Sequence, residues 1–329
     1  MTAGVILYRN YTRIYQSNVI LHSKEFAYIY IPTGSDFKKV ETLIKADKIL
    51  LDENSFAWVA RLKKYDLKIR PGKYRILNGM NNNDLVGLLR SGRQEPVKLV
   101  LQNIRTPNEL AGKVALQLEA DSASLIRLMT DKNYLDQSGL NPTTVLSLFI
   151  PNTYEFFWNT SPLQFMKRMF IEKKKFWNHT REQKAGLCGL KETEVMILAS
   201  IIEKETNRDD EKPVIAGVYL NRLKKGWYLQ ADPALIFAWN DWQIRRVLDK
   251  HKKIDSPYNT YLHPGLPPGP ICLPSIASID AVLNYSHHSY MYFCAREDLS
   301  GSHNFARTLA EHNRNARRYQ AALDKLNIH

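Results

Sequence analysis

Residues 195–202 form a run of eight amino acids in which Ser200 has the only polar side chain, and the run ends directly at Glu203. A helix that is apolar on every side must be surrounded by other elements, so the run predicts a helix in the core of a domain. A carboxylate at the end of such a helix is costly unless it is paired, hydrogen-bonded or protonated. Glu203 is therefore either a satisfied structural acid or a group whose chemistry needs an apolar setting.

The ionisation of Glu203 separates these two interpretations. Apolar surroundings raise the pKa of a glutamate, and a raised pKa makes a general acid at neutral pH. Ion-pair networks occupy similar positions, so the structural alternative stays open on the residues alone. Glu205 points to another side of a regular helix, so the two acids are not expected to face each other. Asp232 and Asp255 lie in predicted loops, and the fold could bring either of them near.

The composition is that of a soluble globular protein with a sizeable core. Of the 329 residues, 44% are hydrophobic and 24% are charged, and the length suits about two domains. The net charge of +13 permits attraction to polyanions, although a solvated basic surface is the simpler explanation. No nucleic-acid-binding signature occurs, so nucleic acid is not an expected partner.

Motifs for several common chemistries are missing from the sequence. It has no P-loop, no dinucleotide fingerprint, no nucleophile-elbow serine and no HExxH. The three cysteines, Cys188, Cys272 and Cys294, suit neither a disulfide framework nor a zinc site, although one bridge stays open. The adjacent His287 and His288 lack further ligands. We therefore expect no metal and no cofactor.

Periodicity in the first third of the chain predicts a small subdomain. A strand at 28–31 is followed by helical spacing at 36–46 and 53–63 and by a strand that a Pro-Gly turn interrupts. An Asn-capped helix then stops at Gly92. These elements predict a βααβ subdomain over residues 25–95.

The remainder, residues 96–329, reads as a larger, mixed but mainly helical domain, which makes the fold class α+β. Capping boxes pair Thr106 with Glu109 and Thr308 with Glu311, and Thr193 is the predicted cap of the apolar helix. A loop with six prolines between residues 257 and 274 is stiff and has few backbone donors, as a binding surface would.

The segment 1–24 carries a possible membrane signal. No run of 18 or more apolar residues occurs, so the chain as given has no predicted span. Its start, however, passes from AGVIL directly into the aromatic and basic YRNYTR, which is typical of the interfacial end of a membrane helix. The remnant of an anchor with its linker and an ordinary frayed terminus both explain this stretch.

Four ordered stretches resemble the YceG-like family of endolytic murein transglycosylases. They are LASIIEKET, VIAGVYLNRLKKGWYLQADPALIFA, SPYNTYLHPGLPPGPICLPSIASIDAVLN and YMYFCAREDLSGSHNFARTLAEHN. The N-terminal YIYIPTGSDFKKVETLIK and IRPGKYRILNGMNNNDLVGLLRSG are similar to the LysM-like subdomain of that family. The resemblance covers about residues 28–315, and four ordered motifs of this length are specific.

The resemblance implies an activity and a catalytic residue. Such enzymes cleave the β-1,4 bond between N-acetylmuramic acid and N-acetylglucosamine within peptidoglycan strands, without water, and leave a 1,6-anhydro end. The first Glu of the family's EKE stretch falls on Glu203, which would protonate the leaving oxygen and then accept the proton of the sugar's own C6 hydroxyl. One carboxylate suffices because the nucleophile is intramolecular.

The resemblance also implies substrate-binding residues, with departures from the family pattern. The QADP segment contributes Gln230 and Asp232, and Ala231 replaces the usual hydroxyl residue. Position 152 has Asn where the family has Asp, and LSLFI replaces the usual Leu-Glu-Gly before it. The predicted substrate-binding residues are Gln230, Asp232, Tyr258, Asn259, Tyr261, Asn152, Tyr154, Asn221 and His303. For Asn221 and His303 a structural role is an equal alternative.

Partners and location follow from the same resemblance. We expect the protein to bind peptidoglycan glycan strands, to terminate nascent strands beside penicillin-binding synthases, and to have its catalytic domain outside the cytoplasm. A single N-terminal helix would anchor it in the bacterial inner membrane. The alternatives are a glycan hydrolase that uses the same site, and a non-catalytic peptidoglycan-binding scaffold of the wall-synthesis machinery.

Overall fold

The computed structural model describes residues 2–244 and 246–325, which form a mixed α+β fold and confirm the predicted class. The α-helices are, in chain order, α1 (Thr2–Tyr15), α2 (Phe37–Ala46), α3 (Glu53–Leu62), α4 (Asn82–Ser91), α5 (Pro107–Ala115), α6 (Ser122–Thr130), α7 (Lys132–Asp136), α8 (Pro162–Phe176), α9 (His179–Cys188), α10 (Glu192–Glu205), α11 (Lys212–Lys224), α12 (Asp232–Trp239), α13 (Ile276–Leu283) and α14 (Leu309–Lys325). The strands are β1 (Phe26–Ile31), β2 (Gly72–Leu77), β3 (Val97–Leu101), β4 (Asn152–Phe156), β5 (Tyr292–Ala295) and β6 (His303–Ala306). They form three two-stranded sheets, β1–β2, β3–β4 and β5–β6. None of the described helices has the length and apolar character that a bilayer crossing requires.

The first of two compact units contains the predicted βααβ elements. β1 and β2 pair antiparallel with Ile29 opposite Tyr74, and both side chains are buried. Helices α2, α3 and α4 complete this core, to which Val40, Phe56 and Leu85 contribute. The caps follow the sequence signals, since the Asn81 side chain accepts from the backbone at the start of α4.

This unit is discontinuous in sequence, because it comprises the chain through Leu99 together with Lys113–Asp121 and Tyr154–Pro162. Both Oε atoms of Glu119 accept hydrogen bonds from Thr33, at 2.7 and 2.6 Å. The rings of Tyr30 and Trp158 meet edge to face at 5.2 Å. No local pattern signals such long-range contacts, and the boundaries 1–24, 25–95 and 96–329 remain predictions.

The second unit is built around α10. Every residue of the apolar run 195–202 is buried, as the sequence predicts, and α11 and α13 pack against the helix. Ser200 is satisfied inside this core, because its Oγ donates to the carbonyl of Ile197 at 2.7 Å and accepts from the backbone N–H of Ile271 at 3.0 Å. Packing against α11 and α13 and the hydrogen bonds of Ser200 thus hold the C-terminal half of α10 in place.

The predicted cap of α10 is wrong by two residues, because the N-cap is Lys191. Thr193 lies inside the helix, which begins at Glu192. The carboxylate of Glu194 accepts from the backbone N–H of Lys191 at 2.7 Å, so an acid satisfies the terminal donor in place of a hydroxyl. Sequence signals for helix ends are uncertain by one or two residues for this reason.

Helix α11 lies close to the segment that precedes β5. A Cβ added at Gly217 would lie 2.4 Å from the carbonyl oxygen of Ser286, so only glycine permits this approach. The side-chain amide of Asn221 donates to the carbonyls of His288 and Tyr290 at 2.8 and 3.0 Å. These bonds support the structural alternative for Asn221.

Candidate active site

The last turn of α10 presents Glu203 and Glu205 to different surroundings. Oε2 of Glu203 accepts from the Oγ atoms of Ser275 and Ser278 at 2.6 and 2.5 Å, and from the backbone N–H of Ser275 at 3.2 Å. Lys212 Nζ lies 3.6 Å from the same oxygen. Because Ser275 is the N-cap of α13, the carboxylate sits at the positive end of that helix.

These contacts favour the charged form of Glu203. Burial raises its pKa, but the hydrogen bonds from Ser275 and Ser278 and the charge of Lys212 outweigh burial, so the net pKa lies below the ordinary value. The expectation of a raised pKa at Glu203 is therefore wrong. An apolar run predicts burial, but it says nothing about the hydroxyls and the ammonium that the fold supplies.

Glu203 lines a cavity of about 370 Å³. The other lining residues are Gln102, Asn103, Pro151, Leu273, Ser275 and Ile276. None of the other predicted site residues lines this cavity in the described part of the chain. Glu203 is thus accessible from a groove, but not beside the residues expected to hold a glycan.

Glu205 has the opposite ionisation tendency. Burial raises its pKa to about 7; the hydrogen bond that Tyr219 Oη donates to Oε1 works against this, and the negative charge of Asp232 adds to it. A carboxyl with this pKa is substantially protonated at neutral pH and can still ionise. Glu205 therefore has the raised pKa that we expected from the sequence for Glu203.

A second cavity of about 310 Å³ brings Glu205 together with three predicted substrate residues, Gln230, Asp232 and Tyr261. Tyr261 Oη donates to Asp232 Oδ1 at 2.6 Å. The remaining lining residues are Tyr219, Arg222, Tyr292, Phe293, Leu309 and His312. This cavity combines an acid with a pKa near 7, a carboxylate, an amide and aromatic faces, as sugar-cleaving sites commonly do.

Backbone hydrogen bonds around Gln230 fix the position of the QADP segment, which contributes Gln230 and Asp232 to the cavity. Gln230 has a left-handed backbone, with φ of 51°, and its N–H donates to the carbonyl of Thr260 at 3.0 Å. The N–H of Ala231 donates to Thr260 Oγ1 at 2.9 Å. Thr260 of the SPYNTY loop thus holds the QADP segment in place through these two hydrogen bonds.

The other residues of that loop are mainly structural in their contacts. Asn259 is fully buried, and its amide donates to the carbonyls of Lys252 and Ile254, both at 2.9 Å. The ring of Tyr258 packs on Phe237 at 4.7 Å, and burial raises the pKa of its hydroxyl. Neither Asn259 nor Tyr258 lines the Glu205 cavity, so their substrate roles remain predictions.

The predicted residues outside this loop lie elsewhere. Asn152 is exposed and accepts from the N–H of Thr153, whereas Tyr154 is buried and belongs to the first unit. His303 is held by Glu211, which accepts from its backbone N–H at 2.9 Å and contacts Nδ1 at 2.8 Å. For His303 these contacts support the structural alternative.

Sequence reasoning missed Glu205, Tyr219, Arg222 and His312 as parts of one site. Glu205 is the second acid of EKE, but its place on the helix indicates only that it points away from Glu203. The only local signal for the others is their presence inside the family-like stretches. Their convergence depends on how α11, β5 and α14 pack.

Comparisons with known proteins agree with the resemblance in the sequence. A model described as the YceG-like family matches residues 29–318. The endolytic murein transglycosylase of Bacillus subtilis is 27% identical over 312 residues, which cover 90% of this chain and 86% of that protein. That of Streptococcus pneumoniae is 26% identical over 329 residues, and the match covers 89% of this chain but 58% of the relative. A crystal structure of a yceG-like protein from Listeria monocytogenes has a TM-score of 0.59 at 27% identity, covering 89% of this chain and 99% of that one.

Proposed function

This chain belongs to the YceG-like family, and from that premise we propose that it is an endolytic murein transglycosylase in which Glu205 is the general acid and base. The protein is an enzyme of the lyase class. Its proposed substrate is the glycan strand of peptidoglycan, cut internally at the β-1,4 bond between N-acetylmuramic acid and N-acetylglucosamine.

The observation that carries the assignment is the pKa of about 7 at Glu205, in a cavity that also holds Gln230, Asp232 and Tyr261. A general acid works best when its pKa lies near the working pH. Glu203 fails this criterion because its pKa is lowered by its own contacts. Glu205 therefore replaces Glu203 as our candidate.

The reaction needs one proton to move twice. Protonated Glu205 donates to the bridging oxygen as its bond to C1 of the muramic acid breaks, and the cut strand leaves with a free hydroxyl. The C6 hydroxyl oxygen of the same sugar then bonds to C1, and its proton returns to the Glu205 carboxylate. The product is a 1,6-anhydro ring, and no water is consumed.

Asp232 and Tyr219 change the pKa of Glu205 in opposite directions. The charge of Asp232 disfavours ionisation of Glu205, which keeps the acid loaded, while the hydrogen bond from Tyr219 limits the rise in pKa. Asp232 also stabilises positive charge that develops at C1 in the transition state, provided the sugar lies between the two acids. Gln230 and Tyr261 offer polar contacts for sugar hydroxyls.

A hydrolase is the second candidate function, and one observation favours it. Hydrolytic glycosidases use two carboxyl groups, and Asp232 places a second carboxylate in the Glu205 cavity. A non-catalytic scaffold has no use for an acid with a pKa near 7 in a glycan-sized cavity. The hydrolase, rather than the scaffold, is thus the alternative that an experiment must address.

The cellular setting is a further part of the proposal. An enzyme that acts on peptidoglycan works outside the cytoplasm, beside penicillin-binding synthases if it terminates nascent strands. Helix α1 exposes the side chains of Val5, Ile6, Leu7 and Tyr8. We propose that this apolar surface contacts the membrane, with the adjacent Arg9 at the interface.

Mass analysis of the products from purified sacculi tests the reaction type. A transglycosylase leaves anhydro-muramic ends, which are lighter by one water than the reducing ends that a hydrolase leaves. We expect anhydro ends in the internal fragments. Reducing ends alone would establish the hydrolase, and no soluble fragments at any enzyme concentration would leave only a binding function.

A further inference from the structure

Arg222 is a buried cation in the wall of the Glu205 cavity. Its side chain is fixed at two points, because Nε donates to the carbonyl of Met291 at 2.8 Å and Nη1 donates to the carbonyl of Leu229. Only 7% of the residue is exposed. An arginine held in this way presents the rest of its planar guanidinium in one fixed direction.

The guanidinium still has donors to offer. Arginine has five N–H donors, and no described residue accepts a hydrogen bond from Nη2 of Arg222. It also makes no ion pair with a described acid, although Glu205 and Asp232 line the same cavity and its charge lowers the pKa of Glu205 from a distance. Because Arg222 lines the cavity, a ligand oxygen that fills this space would gain a charge-assisted hydrogen bond from the remaining donors.

The surrounding charges favour a neutral oxygen over an anion. A carboxylate or phosphate next to Arg222 would also face the negative Asp232, and like charges in one cavity repel. A carbonyl oxygen accepts the same bond without that cost. Leu309 and Phe293 provide an apolar wall in the same cavity, which suits a methyl group.

We propose that Arg222 and Leu309 form a subsite for the 2-acetamido group of an N-acetylhexosamine unit. Arg222 donates through Nη2 to the carbonyl oxygen, and Leu309 packs on the methyl group. The inference rests on the proposed function, since it assumes that a glycan strand enters the Glu205 cavity. It adds a specificity determinant: sugars without the acetamido group bind less tightly.

Binding of two neutral β-1,4 hexasaccharides tests the subsite from the ligand side. Chitohexaose has a 2-acetamido group on every sugar, whereas cellohexaose has a hydroxyl there. In the full chain with Glu205→Gln, which prevents cleavage, we expect chitohexaose to bind at least about 10-fold more tightly, the value of one charge-assisted bond and a buried methyl. Equal affinities would overturn the proposal.

Variants of Arg222 and Leu309 show whether these residues cause the preference for chitohexaose over cellohexaose. Arg222→Lys, added to Glu205→Gln, keeps the charge but loses the planar fork, and we expect the preference to fall below about 3-fold. Leu309→Ala removes the wall at an exposed helix start, so the fold tolerates it, and the preference falls about 2- to 5-fold. Arg127→Lys and Leu187→Ala are matched exposed controls outside both cavities, and they should change nothing.

The outcomes separate this subsite from the proposed function. If Arg222→Lys does not fold by circular dichroism, Leu309→Ala decides alone, and an unchanged preference in it overturns the placement. If sacculi give anhydro ends but the two hexasaccharides bind equally, the subsite fails and the enzyme assignment stands. If the acetamido preference depends on both residues but sacculi are not cleaved, the subsite stands and the enzyme assignment fails.

Discussion

At the residue scale, Glu203 and Glu205 are separated by one lysine and are both partly or fully buried, but they differ in ionisation because different groups surround their carboxyls. Three donors from the start of α13 and the ammonium of Lys212 surround Glu203, so its charged form is stabilised. Burial and the negative charge of Asp232 raise the pKa of Glu205 and stabilise its neutral form, although the hydrogen bond from Tyr219 works against them. The environment of each carboxyl group, rather than its residue type, thus sets its ionisation.

The pH dependence of cleavage should follow the groups around Glu205. Activity that needs protonated Glu205 declines as the pH rises through about 7. Asp232→Asn removes a charge that raises this pKa, so the decline moves to lower pH. Tyr219→Phe removes a hydrogen bond that lowers it, so the decline moves to higher pH.

Profiles of kcat/KM against pH on purified sacculi measure both shifts. Tyr258→Phe serves as the control, because Tyr258 is a loop tyrosine that does not line the cavity and should leave the profile in place. Shifts of the same sign in the Asp232 and Tyr219 variants would contradict the assignment.

At the element scale, Glu203 joins the end of α10 to the start of α13. Its carboxylate accepts from Ser275 and Ser278 and sits where the dipole of α13 favours negative charge. Lys212 has a second partner in Asp209, at 2.8 Å, so it does not depend on Glu203 alone. These contacts support the alternative that Glu203 is a satisfied structural acid, which the sequence alone leaves open.

Glu203→Gln should therefore lower stability, by about 1–2 kcal/mol at pH 7, because neutral hydrogen bonds replace charge-assisted ones. The pKa of Glu203 is lowered from 4.5, so its contribution is present above that pH and is lost as the pH falls through the folded-state pKa. Urea unfolding at several pH values measures this. A deficit that persists undiminished in acid, or a deficit equally large in Lys204→Gln at the exposed neighbour, would refute the interpretation.

At the scale of the whole molecule, the charge of +13 fits an anionic polymer as the substrate. Peptidoglycan carries acidic stem peptides, and a basic protein gathers near such a surface by long-range attraction. Salt shortens that attraction, from about 10 Å at ~0.1 M to about 3 Å at ~1 M.

Binding of the Glu205→Gln variant to sacculi should accordingly weaken several-fold between ~0.1 M and ~1 M NaCl. Chitohexaose is uncharged, so its affinity for the same variant should change little and provides the control. A sedimentation assay measures the first and calorimetry the second. Salt-independent sacculus binding would show that the net charge has no part in substrate capture.

The sequence predicts the elements of this protein better than it predicts the site. The apolar run 195–202 and the capping boxes at Thr106 and Thr308 depend on local chemistry, and α10, α5 and α14 follow them. A helix that is apolar all round has no polar face, so its rotation in the core cannot be derived from periodicity. That is why the sequence pointed to Glu203, at the end of the apolar run, whereas the structure places Glu205 beside the predicted substrate-binding residues.

Long-range packing decides the rest of the site. Tyr219 comes from α11, Asp232 from the start of α12, and His312 from α14, and no spacing rule links them to Glu205. Gln230, Asp232 and Tyr261 were found because they lie in family-like motifs. Arg222 also lies in a family-like stretch, but the sequence does not reveal its open donor, which becomes visible only once its two backbone partners are known.

The most direct test compares the initial rates at which Glu205→Gln and Glu203→Gln digest purified sacculi near pH 6.5, each corrected for its folded fraction. We predict that Glu205→Gln loses at least about 100-fold in rate, since a general acid contributes that much or more, while Glu203→Gln stays within a few-fold of the parent. The reverse order, with Glu205→Gln active and Glu203→Gln inactive though folded, would contradict the assignment of the catalytic proton to Glu205.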